Sequence, residues 1–493
     1  MLHSASKSAS QILLGATVGR ILNLVTMVLV TPILGPEGFG TLAVASMIMA
    51  IFTVVVDVGF ENYYIVYIKL VGEKKSSDEE IREIEDTVFF MRLYSNIFLF
   101  IAQVALSHIL VGRFIQHPTD LFLRIFALNY LGAIFGKINE VRFRKQLNFK
   151  SIASAKIISD VCGAIIKLIL VFSGFGIVGW AIGSVFAGFV NAFVLSIKGK
   201  YRPHSSTVSK ATFKKVLWFA KHSWLTGLGQ YFQGQISNIS LKTFFSLKAM
   251  GYFQFANTYT VDFYSQITAS QSSWIVPYIS NLQDDNRQLL KGFHKMINIY
   301  LMVLSPSLII GMVFSKEIIL IVFGTKWLYA SNMVVVLLAY ILLRSFFTPT
   351  MGIVNALGKM KQGSIMAMVN FTILALSLLL TCYFTKDLLA FTIAFAFSNL
   401  LGEFIKSTVG LHFLKISWFN LLSNSWIHLR IIILVFVFFI ASKMILITIS
   451  PLILCLIILS GLLLYGGTQF FFNRKNLIDV FETGRNILRK RKK

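Results

Sequence analysis

The chain is short of charge, and of negative charge most of all. Of its 493 residues only 14% are Asp, Glu, Lys or Arg, against roughly 25% in soluble domains. Acidic residues number 21 against 46 Lys and Arg. A water-soluble fold would have to hide 46 Phe within a chain that is 56% hydrophobic, which excludes a soluble enzyme or binding module. Cysteine is scarce too: Cys162, Cys382 and Cys455 lie singly in apolar runs, so neither a disulfide framework nor a cysteine metal cluster is expected. No Gly-x-x-x-x-Gly-Lys-Ser/Thr loop occurs, which excludes a built-in ATPase, and His-Glu-x-x-His and Cys-x-x-Cys metal motifs are missing as well. The histidines, His108 and His222 among them, are scattered, so no Ser/His/Asp set can be assembled. The chain does not read as an enzyme, and no catalytic residue, metal site or cofactor is expected.

What is present is apolar sequence of a particular length. Ala43–Val58, Ile97–Leu106, Ile431–Ile449 and Leu452–Phe472 belong to stretches near the roughly 20 residues that cross a bilayer as helix. Mean hydropathy is +0.73. Spans are expected at 11–34, 38–64, 87–111, 120–142, 151–173, 175–198, 213–241, 249–280, 288–314, 328–350, 360–384, 388–413, 427–449 and 451–472. The fold class is therefore an all-α polytopic membrane protein of about fourteen transmembrane helices. The first apolar segment is long, is broken by Arg20 and lacks an Ala-x-Ala site, so it reads as a retained span rather than a cleaved signal.

A net charge of +25 would suggest nucleic acid, but its placement argues for a membrane and against a nucleic-acid partner. With the N-terminus inside, cytoplasmic segments hold about 31 of the 46 Lys and Arg. Outer connections hold only Arg113, Lys242, Lys248, Lys316, Lys326 and Lys386. This bias puts both termini on the cytoplasmic side of the membrane. The tail Asn473–Lys493 repeats Leu477, Val480, Phe481, Ile487 and Leu488 at helical spacing among Arg485 and Arg489–Lys493. Such a segment lies on an anionic inner leaflet.

Lys198–Lys215, basic and Ser-rich with Pro203, reads as a linker between halves. A weak repeat supports the division: Leu34-Gly-Pro-Glu-Gly-Phe-Gly-Thr-Leu after the first span corresponds to Phe245-Ser-Leu-Lys-Ala-Met-Gly-Tyr-Phe after the seventh. Parallel repeats of two six-helix bundles follow, an architecture of transporters. The expected domains are 1–200, 201–415, a further helix pair at 416–473 and a basic tail at 474–493.

Ionisable side chains inside spans cost about 2.5–3.5 kcal/mol each at mid-bilayer and mark function by default. They are Arg20, Asp57, Glu61, Arg92, Arg124, Lys137, Glu140, Lys156, Asp160 and Lys167, then Asp262, Arg344, Glu403 and Lys406. Arg20 lies near the middle of the first span with Gly15, Gly19 and Asn23. It either pairs with Asp57 or Glu61 or offers a bidentate guanidinium to a phosphate head group. Arg92 and Arg124 are further candidates for the same cavity. The seventh and eighth spans are unusually polar. Gln230, Gln233, Asn257, Tyr259, Asp262, Gln266 and Gln271, with Asp57 and Glu61, are the candidate lining of a wet cavity, since amides and hydroxyls among aromatic rings suit sugars. Asp57, Glu61 and Asp262 are equally open to cation coupling. Gly15/Gly19, Gly132/Gly136 and Gly179/Gly183 match the small-x-x-x-small spacing of helix packing.

Several short motifs resemble one family. Ser6–Gly15, Leu34–Gly40, Val56-Asp57-Val-Gly59-Phe60, Arg142–Phe149 and Gly174-Phe-Gly176-Ile-Val-Gly-Trp180 are similar to polysaccharide-exporter (Wzx-like) oligosaccharide flippases. These belong to the multidrug/oligosaccharidyl-lipid/polysaccharide exporter superfamily, and the pattern is nearest to colanic-acid and teichuronic-acid exporters. The resemblance runs along essentially the whole chain. It implies a pair of helix bundles working by alternating access on an undecaprenyl-pyrophosphate-linked oligosaccharide. The product would feed exopolysaccharide, capsule or O-antigen synthesis. A cationic cavity holds the pyrophosphate in that family, and Arg20 is the position here that matches. A polysaccharide polymerase and other assembly proteins are the implied partners beside the lipid bilayer. Cation-coupled multidrug efflux is the competing transporter reading, although the first span lacks the carboxylate common in that branch. A membrane-embedded polysaccharide polymerase is the competing enzyme reading, but the outer connections are short for one.

Overall fold

The computed structural model describes residues 2–56, 60–68, 76–112, 115, 117–146, 148–265, 268, 279, 285–350, 353–357, 359–423, 426–445 and 450–472. Among the described residues the regular structure is helical, with no strand. Ten segments of the described residues are long and apolar enough to cross a membrane. Two of them are double-length and broken at glycines. Helix α1 (Leu2–Val56) kinks at Gly35 (φ 63°, ψ 179°), flanked by Pro32 and Pro36. Helices α5 (Phe149–Leu170) and α6 (Gly176–Gly199) are joined by a π-turn, Val171–Phe175, with Gly174 at φ 91° and Gly176 at φ 50°. A positive φ is nearly free for glycine and strained for other residues. Both breaks fall where the sequence places an outer turn.

The contacts divide the chain into two compact units, Met1–Lys242 and Thr243–Lys493. In the first, α2 (Phe60–Tyr67), α3 (Asp78–Leu110) and α4 (Thr119–Lys145) precede α5 and α6, and α7 (Lys210–Phe244) ends the unit. Helix α3 starts nine residues before the expected span at 87. Ser77 caps it by accepting the Glu80 N–H (3.1 Å), and Asp78, Glu79 and Glu80 favour the positive end of its dipole. Helix packing here is set by missing side chains. A Cβ on Gly136 of α4 would lie 2.6 Å from Ala192 Cα of α6, and one on Gly183 of α6 would lie 2.7 Å from the Lys167 backbone N of α5. In a bilayer, where lipid is as apolar as leucine, such close van der Waals approach is what holds helices together.

The segment between α6 and α7 is strapped to α3. Asp86, fully buried, accepts from the Tyr201 hydroxyl, the His204 N–H (3.2 Å) and the Thr207 hydroxyl. The Thr212 hydroxyl donates to Glu83 (2.6 Å). Below the strap, Arg142 Nε pairs with Glu85 (3.0 Å), Tyr64 donates to Glu85 (2.8 Å), and Arg142 Nη1 donates to the Gly199 carbonyl (3.2 Å). Burial and the bond to Asp86 push the Tyr201 phenol above its ordinary range. Val216 and Ala220 of α7 then complete a core with Phe60, Tyr63, Ile84 and Val88.

The second unit comprises α8 (Leu247–Asn257), α9 (Asn286–Val313), α10 (Ser315–Phe323), α11 (Ser331–Arg344), α12 (Ile353–Ala356), α13 (Met360–Phe384), α14 (Leu388–Phe413), α15 (Trp418–Leu422), α16 (Trp426–Ile445) and α17 (Pro451–Phe472). Pro451 opens α17 at the first helical position, where its missing N–H costs nothing. The last two helices are tied in by polar bonds: Lys443 to Glu317 (2.8 Å) and to the Val313 carbonyl (2.7 Å), and the Tyr465 hydroxyl to Ser305 (3.1 Å).

Candidate functional site

The first unit carries charge deep into the membrane where α1 meets α5. Gly19 is so close to α5 that a Cβ there would sit 2.5 Å from Asp160 Oδ2. Arg20, partly buried, follows it on α1. Arg20 lies about 22 Å of helix below the Gly35 kink, and Asp160 about 21 Å below Gly174 at 1.5 Å per residue, so the two share a depth well inside a hydrocarbon layer of about 30 Å. Lys156 Nζ donates to Asp160 Oδ1 at 2.6 Å. Lys167, two turns nearer the C-terminal end of α5 on the same face, holds its ammonium 4.6 Å from the Trp180 ring centroid and within electrostatic reach of Asp160 and Lys156. Lys156 and Lys167 thus stand on one face of α5 with Asp160, and Arg20 lies at the level of Asp160 on α1, next to the Gly19 contact. Chemically, this arrangement suits a phosphate-bearing ligand. The partners first considered for Arg20, Asp57 and the Glu61 side chain, lie outside the described residues.

Arg92 and Arg124 are not brought together. Arg124, near the N-terminal end of α4, pairs with Asp120 (3.3 Å) and bonds Ser107 (3.3 Å) and His108 (3.3 Å) of α3. Arg92 is buried on α3 near Asn96. Ser107 marks the level of Arg124, so the two arginines are separated by about 22 Å along α3.

In the second unit the polar eighth span gathers around a second π-turn, Thr258–Asp262. A π-turn bonds i to i+5 and so swings Asn257 and Asp262 toward one face. The Asn257 amide donates to Asp262 Oδ1 (3.1 Å), and the Thr258 hydroxyl lies 3.4 Å from Oδ2. Tyr259 instead packs its ring among Phe255 (4.9 Å) and Phe323 (4.8 Å). Gln233 of α7 is partly buried in the first unit. The Gln230 side chain, Gln266 and Gln271 lie outside the described residues.

Sequence reasoning marked Arg344 and Glu403 as intramembrane charges without joining them. Arg344 Nε pairs with Glu403 Oε1 at 2.9 Å, Tyr340 donates to the same oxygen (3.3 Å), and the guanidinium also faces the Tyr264 and Tyr340 rings. Their opposite signs were the signal; the packing of α11 on α14 supplies the pairing.

This helix arrangement defines a polytopic membrane protein of the flippase and multidrug-exporter fold. It matches the lipid II flippase MurJ in an inward closed conformation with a TM-score of 0.72 at 16% identity, covering 94% of this chain and 99% of that one. It also matches an inward-facing multidrug resistance MATE family transporter of the MOP superfamily, with a TM-score of 0.63 at 14% identity over 83% of this chain and 98% of that one. Residues 29–332 match the family described as polysaccharide biosynthesis protein, and the chain belongs to that family. Relatives include an uncharacterized membrane protein in the cps region of Klebsiella pneumoniae, 21% identical over 63% of this chain and 62% of that protein. The teichuronic acid biosynthesis protein TuaB of Bacillus subtilis is 23% identical over 55% and 57%, and the lipopolysaccharide biosynthesis protein WzxC of Escherichia coli 23% identical over 62% and 60%. The matches thus span about three fifths of the length of these curated relatives. The exporter resemblance read from the sequence agrees with these relatives.

Proposed function

We propose that the chain is a flippase that moves undecaprenyl-pyrophosphate-linked oligosaccharide units across the bacterial cytoplasmic membrane by alternating access, for surface polysaccharide synthesis. The observation that carries the reading is the charged face of α1 and α5, with Arg20 at the depth of Asp160 and flanked by Lys156 and Lys167. A guanidinium held inside the membrane binds a pyrophosphate bidentately, whereas a neutral glycan alone gives no reason to keep one there. Family membership and the teichuronic acid and lipopolysaccharide roles of the relatives TuaB and WzxC support the polysaccharide part of the reading. The π-turn face of Asn257, Thr258 and Asp262 supplies amide, hydroxyl and carboxylate groups of the kind that bind sugar hydroxyls. The proposal includes about fourteen crossings and cytoplasmic termini, as the bias of Lys and Arg requires.

Arg20→Ala is expected to abolish export of the glycan while the protein still accumulates in the membrane, and Arg20→Lys to restore it only in part, because an ammonium lacks the bidentate fork. Normal export by Arg20→Ala would refute the head-group role. The MATE likeness favours a second reading, drug efflux. Under that reading, loss of the chain raises drug susceptibility and leaves lipid-linked glycans at their ordinary level.

A further inference from the structure

Helix α5 carries two lysines into the membrane, and among the described residues Lys156 is bonded to a carboxylate whereas Lys167 is not. Lys156, Asp160 and Lys167 fall on one face of α5, since steps of four and seven residues return to nearly the same angle. Lys156 is about 10 Å of helix beyond the start of α5 at Phe149, on the cytoplasmic side of Arg20, and Lys167 is about 17 Å further out. Lys156 takes Asp160 as its partner. Lys167 forms no ion pair with a carboxylate among the described residues; its ammonium lies over the Trp180 ring, 4.6 Å from the centroid. An indole face orients an ammonium without neutralising it, so the charge of Lys167 stays available to an anion. Close packing fixes where that ammonium points, because Gly183 of α6 lies against the Lys167 backbone and Cγ, where a Cβ would be 2.4 Å away.

We infer that Lys156 and Lys167 are successive contact points for the pyrophosphate of the lipid-linked substrate, on the cytoplasmic and outer sides of Arg20. The inference rests on the flippase reading above. Moving a doubly charged group through a low-dielectric layer requires a cation at each stage, none of which holds it too tightly. Asp160 serves the second requirement: it already occupies Lys156, so an arriving phosphate displaces a carboxylate rather than falling into a deep well. Lys167, held over the Trp180 ring and bonded to no carboxylate among the described residues, then receives the phosphate on the outer side.

The test uses the full chain purified into phosphatidylcholine vesicles, with geranylgeranyl pyrophosphate and geranylgeraniol as probes, beside export of surface glycan in cells. The unmodified chain is expected to prefer the pyrophosphate. Lys167→Gln should weaken pyrophosphate binding about tenfold while leaving the alcohol unchanged, and should slow export to match, since a charge-assisted contact is worth about that factor. Lys167→Arg should stay within about twofold of the unmodified chain. Asp160→Asn provides an independent reading: with the competing carboxylate gone, the pyrophosphate binds several-fold more tightly and export slows. Unchanged pyrophosphate binding in both Lys167→Gln and Asp160→Asn overturns the inference and leaves the flippase reading standing. A chain that does not distinguish pyrophosphate from alcohol overturns the flippase reading itself.

Discussion

Replacing Asp86 by Ala should release the strap between α6 and α7. Asp86 is fully buried and accepts from Tyr201, His204 and Thr207. Hydrogen bonds to a charged group are each worth about 1.5–3 kcal/mol net. The three donors share one carboxylate and the His204 bond is long, so simple addition overstates the sum; the expected loss is about 3–5 kcal/mol. Asp86→Asn keeps one acceptor oxygen and should lose about half of that. The effect is local: Arg142 remains paired with Glu85, while the Ser209 N–H contact to Thr87 at the head of α7 loosens. Thermal unfolding in nanodiscs measures the stability, and amide hydrogen exchange at residues 204–209 shows where it is lost. An Asp86→Ala protein that melts with the unmodified chain and keeps protection at those amides would refute the reasoning. The same strap predicts an alkaline limit. Tyr201 ionises at higher pH folded than unfolded. Its stabilising contribution is therefore whole below about pH 10 and falls as pH rises above it. Tyr201→Phe should flatten that slope.

Two further predictions concern packing and buried charge. Arg344→Ala strands the Glu403 carboxylate and should cost about 3–5 kcal/mol, whereas Arg344→Met combined with Glu403→Met should recover most of it. A double-mutant cycle on thermal unfolding reads the difference, and equal losses in the single and double variants would sink the pairing argument. Gly136→Ala forces a methyl against Ala192 and should cost about 1–3 kcal/mol, while Gly466→Ala, with no atom within 4 Å of the new Cβ, should be close to neutral.

The breaks between the first two spans and between the fifth and sixth were legible because glycine and proline mark them: Gly35 between Pro32 and Pro36, and Gly174 with Gly176, both adopt conformations that glycine alone takes easily. The packing role of Gly132/Gly136 and Gly179/Gly183 was legible from spacing, since a missing Cβ is what close helices require. The partner of a charge was not. Asp86 meets Tyr201, 115 positions away, so a basic, Ser-rich stretch that reads as a loose linker is held fast. Gly19 comes against Asp160 through the packing of α1 on α5, which sets Arg20 at the same level, and Arg344 meets Glu403, through helix neighbours that periodicity does not name. The turn at Thr258–Asp262 carries neither glycine nor proline, so nothing local announces that it gathers Asn257 and Asp262 on one face.

The most direct test of the central claim is where lipid-linked glycan resides when the chain is removed from its host. Deletion should cause undecaprenyl-linked repeat units to accumulate on the cytoplasmic face, protected from a glycan-modifying reagent added outside spheroplasts. Re-expression of the chain should make them accessible. Repeat units that reach the outer face at the ordinary rate without the chain would contradict the account.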